Sequence, residues 1–213
     1  GNQPGTRCCP AVDDGRVFIL SGHGLLVCCD VTNGDVIWQK DVAKESGGET
    51  PACGFAESLL LDGGNVICTP GGEDAALVAL NKKTGEVGWT TKGSAYCSPI
   101  LVERGGLRLV VTLTVQSLVG VDASNGMVVW KTPFDETEKL QNHSVSPVYS
   151  DGLIYATSGH RKGGQMYALA EDGLPQDPVG APLGRTGDGR GLSDGREAGN
   201  AGNRAGGNGQ DRS

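Results

Sequence analysis

Apolar residues in this chain gather into short runs, and the runs come in a fixed order that repeats. "RVFILSG", "NVICTPG", "LRLVVTL" and "LIYATSG" are rich in β-branched and aliphatic residues. Each is followed by a second run, "LLVCCD", "ALVALN", "SLVGVD" and "QMYALA". Their alternating or fully apolar character and their bounding glycines predict strands joined as hairpins, with almost no helical periodicity. A glycine-bearing turn precedes each first run: Asp14-Gly15, Gly63-Gly64, Gly105-Gly106 and Asp151-Gly152. Ahead of these turns stands another shared element, "RCCPAV", "AESLLL", "YCSPIL" and "SVSPVY", with proline at the same place in Pro10, Pro99 and Pro147.

After the second run comes a signature: "DVTNGDVIW", "NKKTGEVGW" and "DASNGMVVW". Asp30, Asn81 and Asp122 can accept backbone N–H bonds across a tight turn, and Gly34, Gly85 and Gly126 supply a positive φ. Val36, Val87 and Val128 then begin a further strand, and Trp38, Trp89 and Trp130 share their face of it. These three are the chain's only tryptophans, and they lie 51 and 41 residues apart. Such spacing matches the roughly 40 to 50 residues of a four-stranded propeller blade, the longer interval holding the insertion "AKESGGETPACG". An indole that follows the repeat so strictly reads as adhesive between neighbouring sheets, not as a ligand site.

The repeated signature resembles the tryptophan-docking repeat of quinoprotein-type, or PQQ-like, β-propellers, over about residues 5–171. The expected fold is all-β, with four-stranded blades at about 5–42, 53–92, 94–134 and 142–173, some three and a half to four blades of an eight-bladed ring. The resemblance implies two kinds of function: alcohol or sugar dehydrogenases that hold pyrroloquinoline quinone and calcium on the propeller axis, and non-catalytic envelope scaffolds such as the lipoprotein of the outer-membrane β-barrel assembly machinery. Both imply an exported, periplasmic protein. A repeat shared by both classes does not choose between them. Four blades of such a ring leave two faces open, so the chain reads as part of a longer propeller, closed by further blades or by a second copy.

Composition changes this picture at one end. Residues 174–213 hold 11 glycines and five arginines with no lysine, aromatic or cysteine, and read as a low-complexity tail, disordered or not the native continuation. A formal charge of −7 without a clustered basic face excludes a nucleic-acid footprint, and no apolar run is long enough to span a membrane. The seven cysteines include no C-x-x-C pair, which argues against zinc. The adjacent pairs Cys8-Cys9 and Cys28-Cys29 read as strand neighbours with one thiol inward and one outward.

Candidate chemistry collects where inner strands begin, because blades converge on the propeller axis. Arg7, Glu57, Ser58, Tyr96, Ser98, Asn142 and His143 form a candidate polar rim there. In a quinone enzyme, as the resemblance implies, Glu57 and Asn142 are the available oxygen ligands, Arg7 the group for the quinone and His143 the base. None of these lies in a recognisable catalytic loop, and a solvated channel lining is the simpler reading. No catalytic and no metal-binding residue is assigned. His23 and His160 fall in hairpins, and "DETEK" at 135–139 reads as a loop. The expected role is a binding or scaffold module, offering its loops to a protein or saccharide partner.

Overall fold

The computed structural model describes residues 7–47, 50–51, 54–134, 143–158 and 163–179. They form four sheets of four antiparallel strands, each sheet a meander in chain order. The first comprises β1 (Ala11–Asp13), β2 (Arg16–Leu20), β3 (Leu25–Asp30) and β4 (Val36–Asp41). The second comprises β5 (Leu60–Asp62), β6 (Asn65–Cys68), β7 (Leu77–Asn81) and β8 (Val87–Thr91). The third is β9 (Ile100–Arg104), β10 (Leu107–Leu113), β11 (Ser117–Asp122) and β12 (Val128–Pro133). The fourth is β13 (Val148–Ser150), β14 (Leu153–Thr157), β15 (Gly164–Leu169) and β16 (Pro175–Pro178). The innermost strands β1, β5, β9 and β13 are successive neighbours, so the sheets stand side by side as blades of an open arc.

The core lies between blades, and strand alternation puts it there. On β6, Val66 and Cys68 point to the cluster shared with the first blade, while Ile67 points to the cluster shared with the third. On β10 the same alternation sends Val110 back toward the second blade and Leu109 and Val111 forward to the fourth. A blade with neighbours on both sides is therefore apolar on both faces, which is why its strands are nearly continuous hydrophobic runs. The end blades differ. On β2, Phe18 and Leu20 are fully buried while Val17 and Ile19 are only half-buried. Buried Cys28 and half-buried Cys29 of β3 follow the same alternation, whereas buried Cys8 and exposed Cys9 precede β1 outside any strand; all four are free thiols.

Two elements depart from the sequence reading. The first insertion contains a short helix, α1 (Val42–Glu45), whose Asp41 side chain caps the Lys44 N–H at 3.0 Å. Its Ala43 packs so tightly on the β2–β3 turn that a Cβ at Gly24 would stand 2.6 Å from the alanine methyl. The second departure is the fourth blade, which does not end at residue 173. Strand β16 pairs with β15 through Tyr167↔Pro178 and Leu169↔Pro175. Backbone pairing at an edge tolerates proline, so a segment whose composition reads as tail completes the sheet. The remainder of that tail, residues 180–213, lies outside the described residues, as do Cys53, Asn142, His160 and the segment 135–139.

Candidate functional site

The signature turns are built as the sequence predicts. Oδ1 of Asp30, Asn81 and Asp122 accepts the N–H of Thr32, Lys83 and Ser124 at 2.7, 2.8 and 2.8 Å. Gly34, Gly85 and Gly126 take φ of 78°, 72° and 77°, a region that strains any residue with a Cβ. These bonds hold the carboxyls of Asp30 and Asp122 below the usual range, with the Thr32 and Ser124 hydroxyls as the main cause.

The second and third turns each receive a tryptophan from the outer strand of the blade before. Trp38 Nε1 donates to the Lys82 carbonyl at 3.0 Å, and its ring covers Gly85, where a Cβ would stand 2.8 Å from Trp38 Cδ2. Trp89 Nε1 donates to the Ala123 carbonyl at 3.1 Å and covers Gly126, whose Cβ would stand 2.6 Å from Trp89 Cε3. Ion pairs between blades reinforce the contact: Lys82 with Asp13, and Arg108 with Asp62. Trp130 does not follow this plan. It is 7% exposed, packs over Gly120 of its own sheet, and its Nε1 has no hydrogen-bond partner among the described residues.

At the inner strand starts, the rim candidates are engaged with the fold itself. Glu57 is 2% exposed, and both its oxygens accept the Thr69 N–H, at 2.9 and 2.8 Å; Oε2 also accepts the Thr69 hydroxyl at 2.7 Å. Burial pushes its carboxyl up to about 8, against the opposing pull of the Thr69 bonds. Nearby Cys68 and Cys97 are buried as well, and burial raises both thiols. Ser98 Oγ accepts the Ser58 N–H at 2.7 Å, linking the second and third blades, and Tyr96 donates to the Gly54 carbonyl at 2.7 Å. His143 is buried, with Nε2 2.9 Å from the Val115 carbonyl and its ring edge-on to Phe134. Arg7 is exposed, and Asn142 lies outside the described residues.

The structure thus joins Glu57 with Thr69 and Ser58 with Ser98, while Tyr96 reaches Gly54 and His143 lies against Val115 and Phe134. Thr69 was invisible to motif reasoning, since nothing in "NVICTPG" marks its hydroxyl as the partner of a glutamate 12 residues earlier. No group of three or more His, Cys, Asp or Glu that could hold a metal ion exists among the described residues. Both Glu57 oxygens are taken up by Thr69 in a buried setting, so the described residues offer no open carboxylate cage for calcium beside a quinone. Open space lies instead between blades, as in a cleft of about 410 Å³ lined by Lys40, Val42, Glu45, Asp74, Ala75 and Thr90. A similar cleft of about 320 Å³ separates the second and third blades beside Lys92 and Lys131.

Among curated proteins, the chain is 28% identical over 160 residues to the quinoprotein alcohol dehydrogenase PedH of Pseudomonas putida, covering 70% of this chain and 26% of that protein. Among solved structures it resembles BamB from Moraxella catarrhalis at a TM-score of 0.57 and 16% identity, covering 79% of this chain and 51% of the other. It also resembles the quinohemoprotein alcohol dehydrogenase of Comamonas testosteroni at a TM-score of 0.55 and 16% identity, covering 82% and 35%. The chain spans a quarter of the curated relative and about half or less of these structures, whose likeness establishes the fold. No helix among the described residues is long and apolar enough to cross a membrane. A family model described as outer membrane protein assembly factor BamB matches residues 2–190, and the chain belongs to this family of PQQ-like repeat β-propellers.

Proposed function

We propose that this chain works as a binding or scaffold module of the cell envelope, presenting propeller loops to a protein or saccharide partner outside the cytoplasm. One observation carries the reading: Glu57, Ser98 and Tyr96 at the inner strand starts hydrogen-bond inside the fold. Glu57 is sealed against Thr69, Ser98 against the Ser58 backbone and Tyr96 against the Gly54 carbonyl. A catalytic centre needs such groups aimed at a substrate with open approach. The family match to an outer-membrane assembly factor supports the same reading.

A second reading rests on the 28% identity to a quinoprotein alcohol dehydrogenase. In it the chain contributes blades to a quinone- and calcium-dependent enzyme whose reacting groups come from elsewhere. One titration separates the two. The purified chain is presented with an unfolded outer-membrane β-barrel polypeptide, with soluble oligosaccharides, and with pyrroloquinoline quinone plus calcium. Saturable binding of the polypeptide or a saccharide, without calcium-dependent quinone binding, is expected. Calcium-dependent quinone binding alone would overturn the scaffold reading.

A further inference from the structure

The clefts between the blades repeat in form, and charge separates the two copies. Val78 of β7 stands opposite Thr90 of β8, and at the same place one blade later Val119 of β11 stands opposite Lys131 of β12. Val87 and Val128, each two residues before the tryptophan of its blade, line the first and second clefts in turn. In the first cleft α1 adds Glu45, which pairs with Lys40 at 3.1 Å, and Asp74 adds a second acid. The second cleft has Lys92 and Lys131 and no acidic residue in its described wall. Both lysines are exposed, and neither makes an ion pair or a hydrogen bond among the described residues. Uncompensated positive charge, on a chain of formal charge −7, marks this cleft off from its counterpart.

We propose that the cleft between the second and third blades binds an acidic peptide segment, a carboxylate side chain flanked by aliphatic ones, with Lys92 and Lys131 holding the carboxylate. Its volume of about 320 Å³ lies at the lower end of the roughly 300 to 1,000 Å³ of ligand pockets, room for a few residues. The donors decide the charge of the ligand. The hydroxyls of Thr91, Ser94 and Thr114 already donate to the carbonyls of Gly126, Gly71 and Ser117, so the two ammonium groups supply the charge-assisted hydrogen bonds. Val119 and Val128 decide what stands beside that charge. An aliphatic wall receives aliphatic side chains, and no aromatic ring among the described residues lines the cleft to stack on a sugar. This assignment deepens the binding-module reading and rests on it for a polypeptide partner.

The test titrates the isotope-labelled chain with an end-blocked hexapeptide of alternating leucine and glutamate, with its glutamine version, and with a galacturonate oligosaccharide of equal charge. Amide shifts centred on Lys92, Val119 and Lys131 are expected to saturate with the glutamate peptide, with the glutamine version at least about tenfold weaker. Raising the salt from about 50 to about 300 mM should weaken the glutamate peptide several-fold. The double variant Lys92→Gln and Lys131→Gln should lose the response with the melting temperature nearly unchanged, since both side chains are exposed, and Lys40→Gln at the first cleft should keep it. Equal response to both peptides or shifts remote from the cleft would overturn the site, and tighter binding of the oligosaccharide would overturn the choice of partner. Failure of the peptides with the unfolded β-barrel polypeptide still bound would strike the cleft and leave the binding-module reading standing. Failure of peptides, polypeptide and saccharides alike would strike both.

Discussion

The contact between the second and third blades and the contact between the third and fourth use the same residue type to opposite effect. Trp89 reaches across to the third blade, covers Gly126 and satisfies its N–H on Ala123. Trp130 stays over Gly120, its cross-strand partner, with a buried N–H left unpaired among the described residues. The cause lies in the receiving blade. After β15 the chain turns over Ala170–Gly173, closing Ala170 N–H on the Leu174 carbonyl, with no Asp or Asn at its start. That turn presses against the β9–β10 hairpin, with Gly173 against the Arg104 carbonyl and Leu107. Arg104 donates to the Ala170 carbonyl at 3.2 Å, and Tyr167 reaches the Pro133 carbonyl at 2.9 Å, so other groups link these blades. A docking tryptophan is half of a device; the other half is the Asp- or Asn-led turn across from it, which the glycine of Ala170–Gly173 alone does not replace.

The largest way to break the comparison is Trp89→Ala. It empties the cluster between the second and third blades and strands the Ala123 carbonyl, and should cost about 3–5 kcal/mol in denaturant-induced unfolding. A loss below about 1 kcal/mol would mean the docked indole is not a principal contact.

Glu57 offers a contrast on the inner side of the same blades. Its carboxyl is raised from 4.5 to about 8 in the folded chain, so the folded state holds a proton that the unfolded state releases. Stability is then greatest below the unfolded value and falls, by a few kcal/mol in all, as pH rises from about 4.5 to about 8. Glu57→Gln should flatten that slope, measured as unfolding free energy against pH. An unchanged slope would assign the pH dependence to other groups.

Glycine substitutions sharpen the comparison further. Gly34→Ala and Gly126→Ala share the positive-φ penalty of about 1 kcal/mol, but only the second drives a methyl into a tryptophan ring. Gly126→Ala should therefore cost about 1–3 kcal/mol more than Gly34→Ala. Equal losses would show that the indole yields freely.

The smallest effect is the most diagnostic. Trp38→Phe removes a satisfied hydrogen bond to Lys82 and should cost about 1 kcal/mol beyond the lost ring area. Trp130→Phe removes a buried donor that has no partner among the described residues, so that extra cost should be absent. A hydrogen-bond loss at Trp130 matching that at Trp38 would show that the N–H finds a partner.

Sequence by itself determined every feature that neighbouring residues control. The hairpins, the Asx-type turns at Asp30, Asn81 and Asp122, their left-handed glycines and the split burial of Cys28-Cys29 follow from side chains a few positions apart. Blade spacing was legible because the tryptophan signature recurs. What the tertiary structure alone decided depends on distant partners. A solvated rim is the simpler sequence reading, yet Glu57 and His143 are buried and hydrogen-bond to Thr69 and Val115, 12 and 28 residues away. Strand β16 pairs by its backbone, which a composition of proline, glutamine and aspartate does not announce. Trp130 carries the same local signature as Trp38 and Trp89, and only the turn of the next blade makes its environment different. Local hydrogen bonding is written in adjacent residues, whereas burial and docking belong to surfaces that exist only once separate blades meet.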